Sequence, residues 1–80
     1  MAQVTFPDHF RSAIGDVRET RIDAANYRDL VIKLKENWPQ LAPLLERTAV
    51  AIDGQIYQDA FIEPLNPESE VFFMPRIEGG

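Results

Sequence analysis

Eighty residues, 45% of them apolar and with a formal charge of −5, suffice for one small domain with an efficient core and exclude a disordered chain. The absence of cysteine removes disulfides, thiolate metal sites and a cysteine nucleophile, and the single histidine, His9, leaves too few nitrogen ligands for a typical zinc site. The acidic balance disfavours nucleic acid as a partner, because a basic face supplies most of that affinity, and no run is long and apolar enough to span a bilayer.

The chain opens with alternation. In AQVTF, Val4 and Phe6 point one way and Gln3 and Thr5 the other, the pattern of a half-buried strand, which Pro7 and Asp8 break. HFRSAIG predicts an irregular connection or a helical turn ended by Gly15 and Asp16. VRETRID alternates again, with Val17, Glu19 and Arg21 set against Arg18, Thr20 and Ile22, and predicts a second, more exposed strand. Asn26 can cap a helix, with Asp29 three residues on as a short-armed version of the capping box. Tyr27, Leu30, Val31, Leu34 and Trp38 then recur at helical spacing as one apolar stripe. Arg28, Lys33, Lys35 and Glu36 fall on the solvent side, and Pro39 stops the helix. Leu41, Leu44 and Leu45 in QLAPLLERT predict a short helical turn.

AVAIDGQIYQ carries the clearest local signal: two β-prone runs flank Asp53-Gly54, a pair favoured in two-residue type I′ hairpins. The turn-rich stretch DAFIEPLNPES is expected to tuck Phe61, Ile62 and Leu65 under a loop. EVFFM closes the regular structure without polar alternation, which implies burial on both faces, or one buried face and one committed to a partner. The order strand, strand, helix, strand, strand, strand argues for an α+β domain with a mixed sheet of four or five strands wrapped on one main helix. A β-grasp fold fits this order and length, and would place the last strand centrally beside the first. Residues 1–80 are thus read as one domain, with 76–80 as a flexible tail.

Few residues offer autonomous chemistry. His9 follows Pro7-Asp8 without a patterned serine partner, and a solvated structural histidine accounts for it. Glu63, Glu68, Glu70 and Glu78 crowd the last third, but a catalytic carboxylate pair needs a cleft, and a solvated acidic surface is the simpler reading. The glycines, at 15, 54, 79 and 80, are too scattered to cradle a phosphate, and Tyr27 and Trp38 read as core instead of a stacking platform. What remains is Gly79-Gly80, directly behind the last strand. By itself this pair fits a frayed end or an expression scar as well as a functional tail.

The chain resembles the MoaD/ThiS ubiquitin-like sulfur carriers along nearly its whole length. The resemblance runs through VTF, RSAIG at 11–15, NYRDLVIKLKENWPQL in the main helix, VAIDGQ at 50–55 and PLNPESEVFFMPRIEGG at 64–80. That last segment is the most specific: Pro-Leu, an acidic turn, Glu-Val, apolar residues, proline and Gly-Gly. The MoaD-like members, which serve molybdopterin synthase, come closer than the thiamine-pathway ones. One departure is Arg76, where many molybdopterin-type members carry a second proline or a small residue. The resemblance implies that a MoeB/ThiF-like activating enzyme uses ATP to adenylate the Gly80 carboxylate, and that a sulfurtransferase donor converts it to a thiocarboxylate. It implies no tightly bound cofactor, and a MoaE-like large subunit whose active site the tail enters. Gly79 and Gly80, lacking Cβ atoms, would thread a narrow channel. The family register places Val71 and Phe73 in the core with Val4 and Phe6. Phe72 and Met74 then lie on the outer face as a partner-binding patch, with Arg76 between patch and tail. Other acceptors (thio-metabolite, cysteine or tRNA thiolation) and a ubiquitin-like modifier stay open. With no leader pattern at the N-terminus, the expected compartment is the cytoplasm.

Overall fold

The computed structural model describes residues 1–58 and 63–76. Strand β1 (Ala2–Thr5) leads through a 3-10 turn at Asp8–Phe10 into the short helix α1 (Arg11–Ile14) and then strand β2 (Glu19–Ile22). Helix α2 (Tyr27–Asn37) follows, then a second 3-10 turn at Pro39–Leu41 and the short α3 (Ala42–Leu45). Strands β3 (Thr48–Ile52), β4 (Gln55–Tyr57) and β5 (Glu70–Pro75) complete the elements among the described residues. The five strands form one mixed sheet in the order β2-β1-β5-β3-β4, with β5 parallel to β1 and antiparallel to β3. This is the β-grasp arrangement anticipated above, with the last strand in the middle.

Local chemistry sets each boundary. The Asn26 side chain accepts the Asp29 amide at 2.8 Å, and the Asp29 carboxylate reaches back to the Ala25 amide at 3.4 Å, one residue short of the usual reciprocal partner. Trp38 closes α2 in a non-helical conformation (φ −135°, ψ 81°), out of the α region that a following proline disfavours. Asp53 (φ 51°) and Gly54 (φ 85°) both take the positive φ of a type I′ turn, which pairs Ile52 directly with Gln55. The second strand is shorter than the alternation from Val17 implies. The Phe6 amide still donates to the Arg18 carbonyl at 2.8 Å, but Pro7 has no amide hydrogen to extend the ladder.

The core lies between α2 and one face of the sheet. Val4, Leu30, Leu34, Leu41 and Val71 are wholly buried there. An aromatic cluster fills one end: Phe6 stacks on Phe73 at 6.2 Å, meets Trp38 edge-on at 5.7 Å, and Phe10 lies 5.9 Å from Phe73. Trp38 thus joins the core from the helix cap and not from within the helix. Of the three apolar residues assigned to the loop before β5, Leu65 is buried, its amide bonded to the Ala25 carbonyl at 3.0 Å. Phe61 and Ile62 lie outside the described residues.

Candidate functional site

A strand in the middle of a sheet must send alternate side chains to opposite faces. In β5, Val71 and Phe73 enter the core, while Glu70, Phe72 and Met74 point outward. The register fixes their neighbours. Phe72 is paired with Ala51 of β3 on one side and Thr5 of β1 on the other, and Met74 is paired with Ala49. Ala51 is also paired with Ile56 of β4, so Phe72, Ala51 and Ile56 form one row across three strands. The two alanines are small enough to be covered by these larger neighbours, which explains why both are buried on the outward side. Phe72 and Ile56 remain 43% and 63% exposed, and Met74 is half-buried.

The face is graded along β5. At its start stand Glu70, Gln3 and Arg21 in adjacent register, with the Arg21 Nε–H donating to Gln3 Oε1 at 3.1 Å. The apolar row occupies the middle. Just past the strand, the Arg76 Nε–H donates to Oε1 of Gln58, the residue after β4, at 3.0 Å. Apolar side chains exposed in this way gain about 1.5–3 kcal/mol each when a partner buries them, enough to anchor an interface.

Two restraints hold β5 in place. At its far end Phe73 is locked in the aromatic cluster. At its start the hairpin turn grips it: Asp53 Oδ1 accepts the Glu70 amide at 2.9 Å, and the Asp53 amide donates to the Glu70 carbonyl at 2.9 Å. Asp53 Oδ2 accepts the hydroxyl of buried Ser69 at 2.9 Å, whose Oγ in turn accepts the Asn66 amide at 2.8 Å. The outward presentation of Phe72 and Met74 is therefore a rigid property of the sheet.

Phe72 and Met74 share the outer face, and Arg76 stands beside them. Gly79 and Gly80 lie outside the described residues. His9 is exposed, its ring edge-on to Phe10 at 4.9 Å. Among the described residues no three His, Cys, Asp or Glu side chains converge as a metal site, and no helix is long and apolar enough to cross a membrane. An apolar groove of about 440 Å³ runs along the helix side, lined by Tyr27, Val31, Ile32 and Leu45 with Arg28, Lys35 and Glu46. Burial pushes the Tyr27 hydroxyl up to about 12, so it stays protonated and is no base at neutral pH. Sequence reasoning missed Ile56 and Gln58. The signal was present: a type I′ turn at Asp53-Gly54 sets Ile56 opposite Ala51, on the face of Phe72.

No protein-family model matches the chain, and no curated protein matches it in sequence. Solved structures do match in three dimensions. The small archaeal modifier protein 1 of Methanosarcina acetivorans superposes with a TM-score of 0.80 at 17% identity, over 99% of this chain and 95% of that one. A chain of the BexX/CysO complex of Amycolatopsis orientalis gives 0.78 at 12% identity, with both chains covered completely. A chain of the complex of subunits 1 and 2 of the molybdopterin-converting factor of Helicobacter pylori gives 0.71 at 20% identity, over 99% and 97%. At these identities the likeness establishes the shared β-grasp fold.

Proposed function

We propose that this chain is a ubiquitin-like sulfur carrier of the MoaD/ThiS type, acting as the small subunit of a molybdopterin synthase in the cytoplasm. The observation that carries the reading is the apolar row Phe72, Ala51, Ile56 with Met74, centred on strand β5, which precedes Gly79-Gly80 in the sequence. A docking face at the root of a slim tail lets a partner grip the body while its active site receives the terminus, which is how a reacting group is held in near-attack geometry. In the first step a Gly80 carboxylate oxygen attacks the α-phosphorus of ATP in a MoeB/ThiF-like enzyme, and pyrophosphate leaves. The outer sulfur of a persulfide on the sulfurtransferase donor then attacks the acyl carbon and displaces AMP. A second thiol cleaves the resulting acyl disulfide, leaving a disulfide on the donor side and the thiocarboxylate that the MoaE-like subunit consumes. The chain supplies the acyl group and the docking face; the partners supply the catalysis.

The likeness to the small archaeal modifier protein supports a second reading, in which Gly80 forms an isopeptide bond to a lysine. Mass spectrometry of the protein from its own cells separates the two. A carrier shows sulfur in place of one terminal oxygen, and a modifier shows lysine-linked adducts. Deleting Gly80 is expected to abolish adenylation while leaving the unfolding transition unchanged; sulfur transfer that survives the deletion sinks the carrier reading.

A further inference from the structure

The side chain that tethers Arg76 has no counterpart in the sequence resemblance. Gln58 follows edge strand β4, and Arg76 follows central strand β5, with β3 between them. One step beyond the registered Val50–Tyr57 pair, Gln58 falls opposite Ala49, the residue also paired with Met74. The contact from Arg76 Nε to Gln58 Oε1, at 3.0 Å, thus crosses β3 on the same outward face as Met74. A guanidinium offers five N–H donors in a rigid fork, and holding the Nε side fixes the direction of the other edge. Among the described residues the Arg76 Nη groups have no hydrogen bond. Arg76 is exposed and carries a positive charge on a chain whose net charge is −5.

We infer that Gln58 is a positioning residue for Arg76. It engages the Nε–H and presents the two Nη groups, beside Met74, to a carboxylate of the docking partner. This rests on the docking role proposed for the face. Arginine recognises a carboxylate through two parallel hydrogen bonds, and a long side chain ordered beforehand loses less freedom when it binds. Gln58 has the right chemistry for a tether because its amide oxygen accepts without neutralising the cation. A glutamate there would form an internal ion pair and compete with the partner.

Two measurements test the inference. In the free protein, 15N relaxation of the Arg76 Nε–H is expected to report an ordered group that becomes mobile in Gln58→Leu. Binding is then measured against the adenylating enzyme of the source organism, using wild type, Gln58→Leu, Gln58→Glu, Arg76→Ala and the double variant Gln58→Leu/Arg76→Ala. Gln58→Leu is expected to weaken binding about two- to fivefold, the range for partly exposed charged contacts. It should have no further effect once Arg76 is alanine, and Gln58→Glu should weaken binding by at least as much as Gln58→Leu. Effects of Gln58→Leu and Arg76→Ala that simply multiply, or an Arg76 Nε–H equally mobile in wild type and Gln58→Leu, would overturn it. Met74→Asp separates the two levels: if it binds as wild type does, the docking reading itself fails. A loss with Met74→Asp but none with Gln58→Leu refutes only the role of Gln58.

Discussion

Asp53 does two things that a single substitution can separate. It occupies a positive-φ turn position, and its carboxylate accepts from Ser69 and Glu70. Glycine suits that backbone at least as well, and its gain there roughly offsets its larger entropy loss on folding. Asp53→Gly therefore isolates the carboxylate bonds. Because buried Ser69 would lose its acceptor, we expect a loss of about 1–3 kcal/mol in urea unfolding, with faster amide exchange at Glu70. Unchanged stability would show that the turn alone matters. Tyr27 gives a second prediction at this scale. Its hydroxyl is raised by burial from 10.0 to about 12, so the folded state holds a proton that the unfolded chain releases above pH 10. The associated stability is complete below pH 10 and is lost as pH rises toward 12. Tyr27→Phe removes the titrating group, so its stability should fall less steeply than that of wild type between those values, as read by urea unfolding at each pH.

At the scale of the element, α2 is held by its inward stripe. Leu30 and Leu34 are both wholly buried, and Leu34→Ala should cost about 2–5 kcal/mol in equilibrium unfolding, a large part of the roughly 5–15 available to a domain. A loss below about 1 kcal/mol would mean that the helix packs more loosely than this burial implies. Elements of this kind were legible because their causes are local. Asn26 and Asp29 cap within three residues and Asp53-Gly54 turns within two, whereas EVFFM, without polar alternation, leaves its facing to the family register. What escaped the sequence is non-local. Asp53 meets Ser69 across sixteen positions and Arg76 meets Gln58 across eighteen, so neither pairing exists until the sheet order brings the strand ends together. Ile32, which falls outside the apolar stripe, is 45% exposed and lines the groove on the helix side.

The molecule as a whole puts its core on one face of the sheet and the proposed docking row on the other, and β5 contributes to both. Phe73 and Met74 are adjacent in sequence, so the same substitution at each should give opposite outcomes. Phe73 is 4% exposed and touches Phe6, Phe10 and Tyr27. An aspartate there must bury a carboxylate without a partner or protonate it, at a cost of several kcal/mol in addition to the lost aromatic packing. Phe73→Asp is therefore expected to unfold the domain at ambient temperature. Met74 lies on the outward side against Ala49, where a carboxylate keeps its water, so Met74→Asp should cost no more than about 1 kcal/mol of strand preference. A partner that closes over the Phe72–Ile56 row would nevertheless have to desolvate that charge, and anchor losses of about 2 kcal/mol or more correspond to roughly thirtyfold weaker binding. Thermal unfolding followed by circular dichroism, together with titration against the adenylating enzyme, reads both quantities on the same two proteins. Met74→Asp that folds and binds like wild type would mean that this face is solvated surface. Unfolding by Met74→Asp with Phe73→Asp tolerated would reverse the two faces of β5, and the docking reading would fall with them.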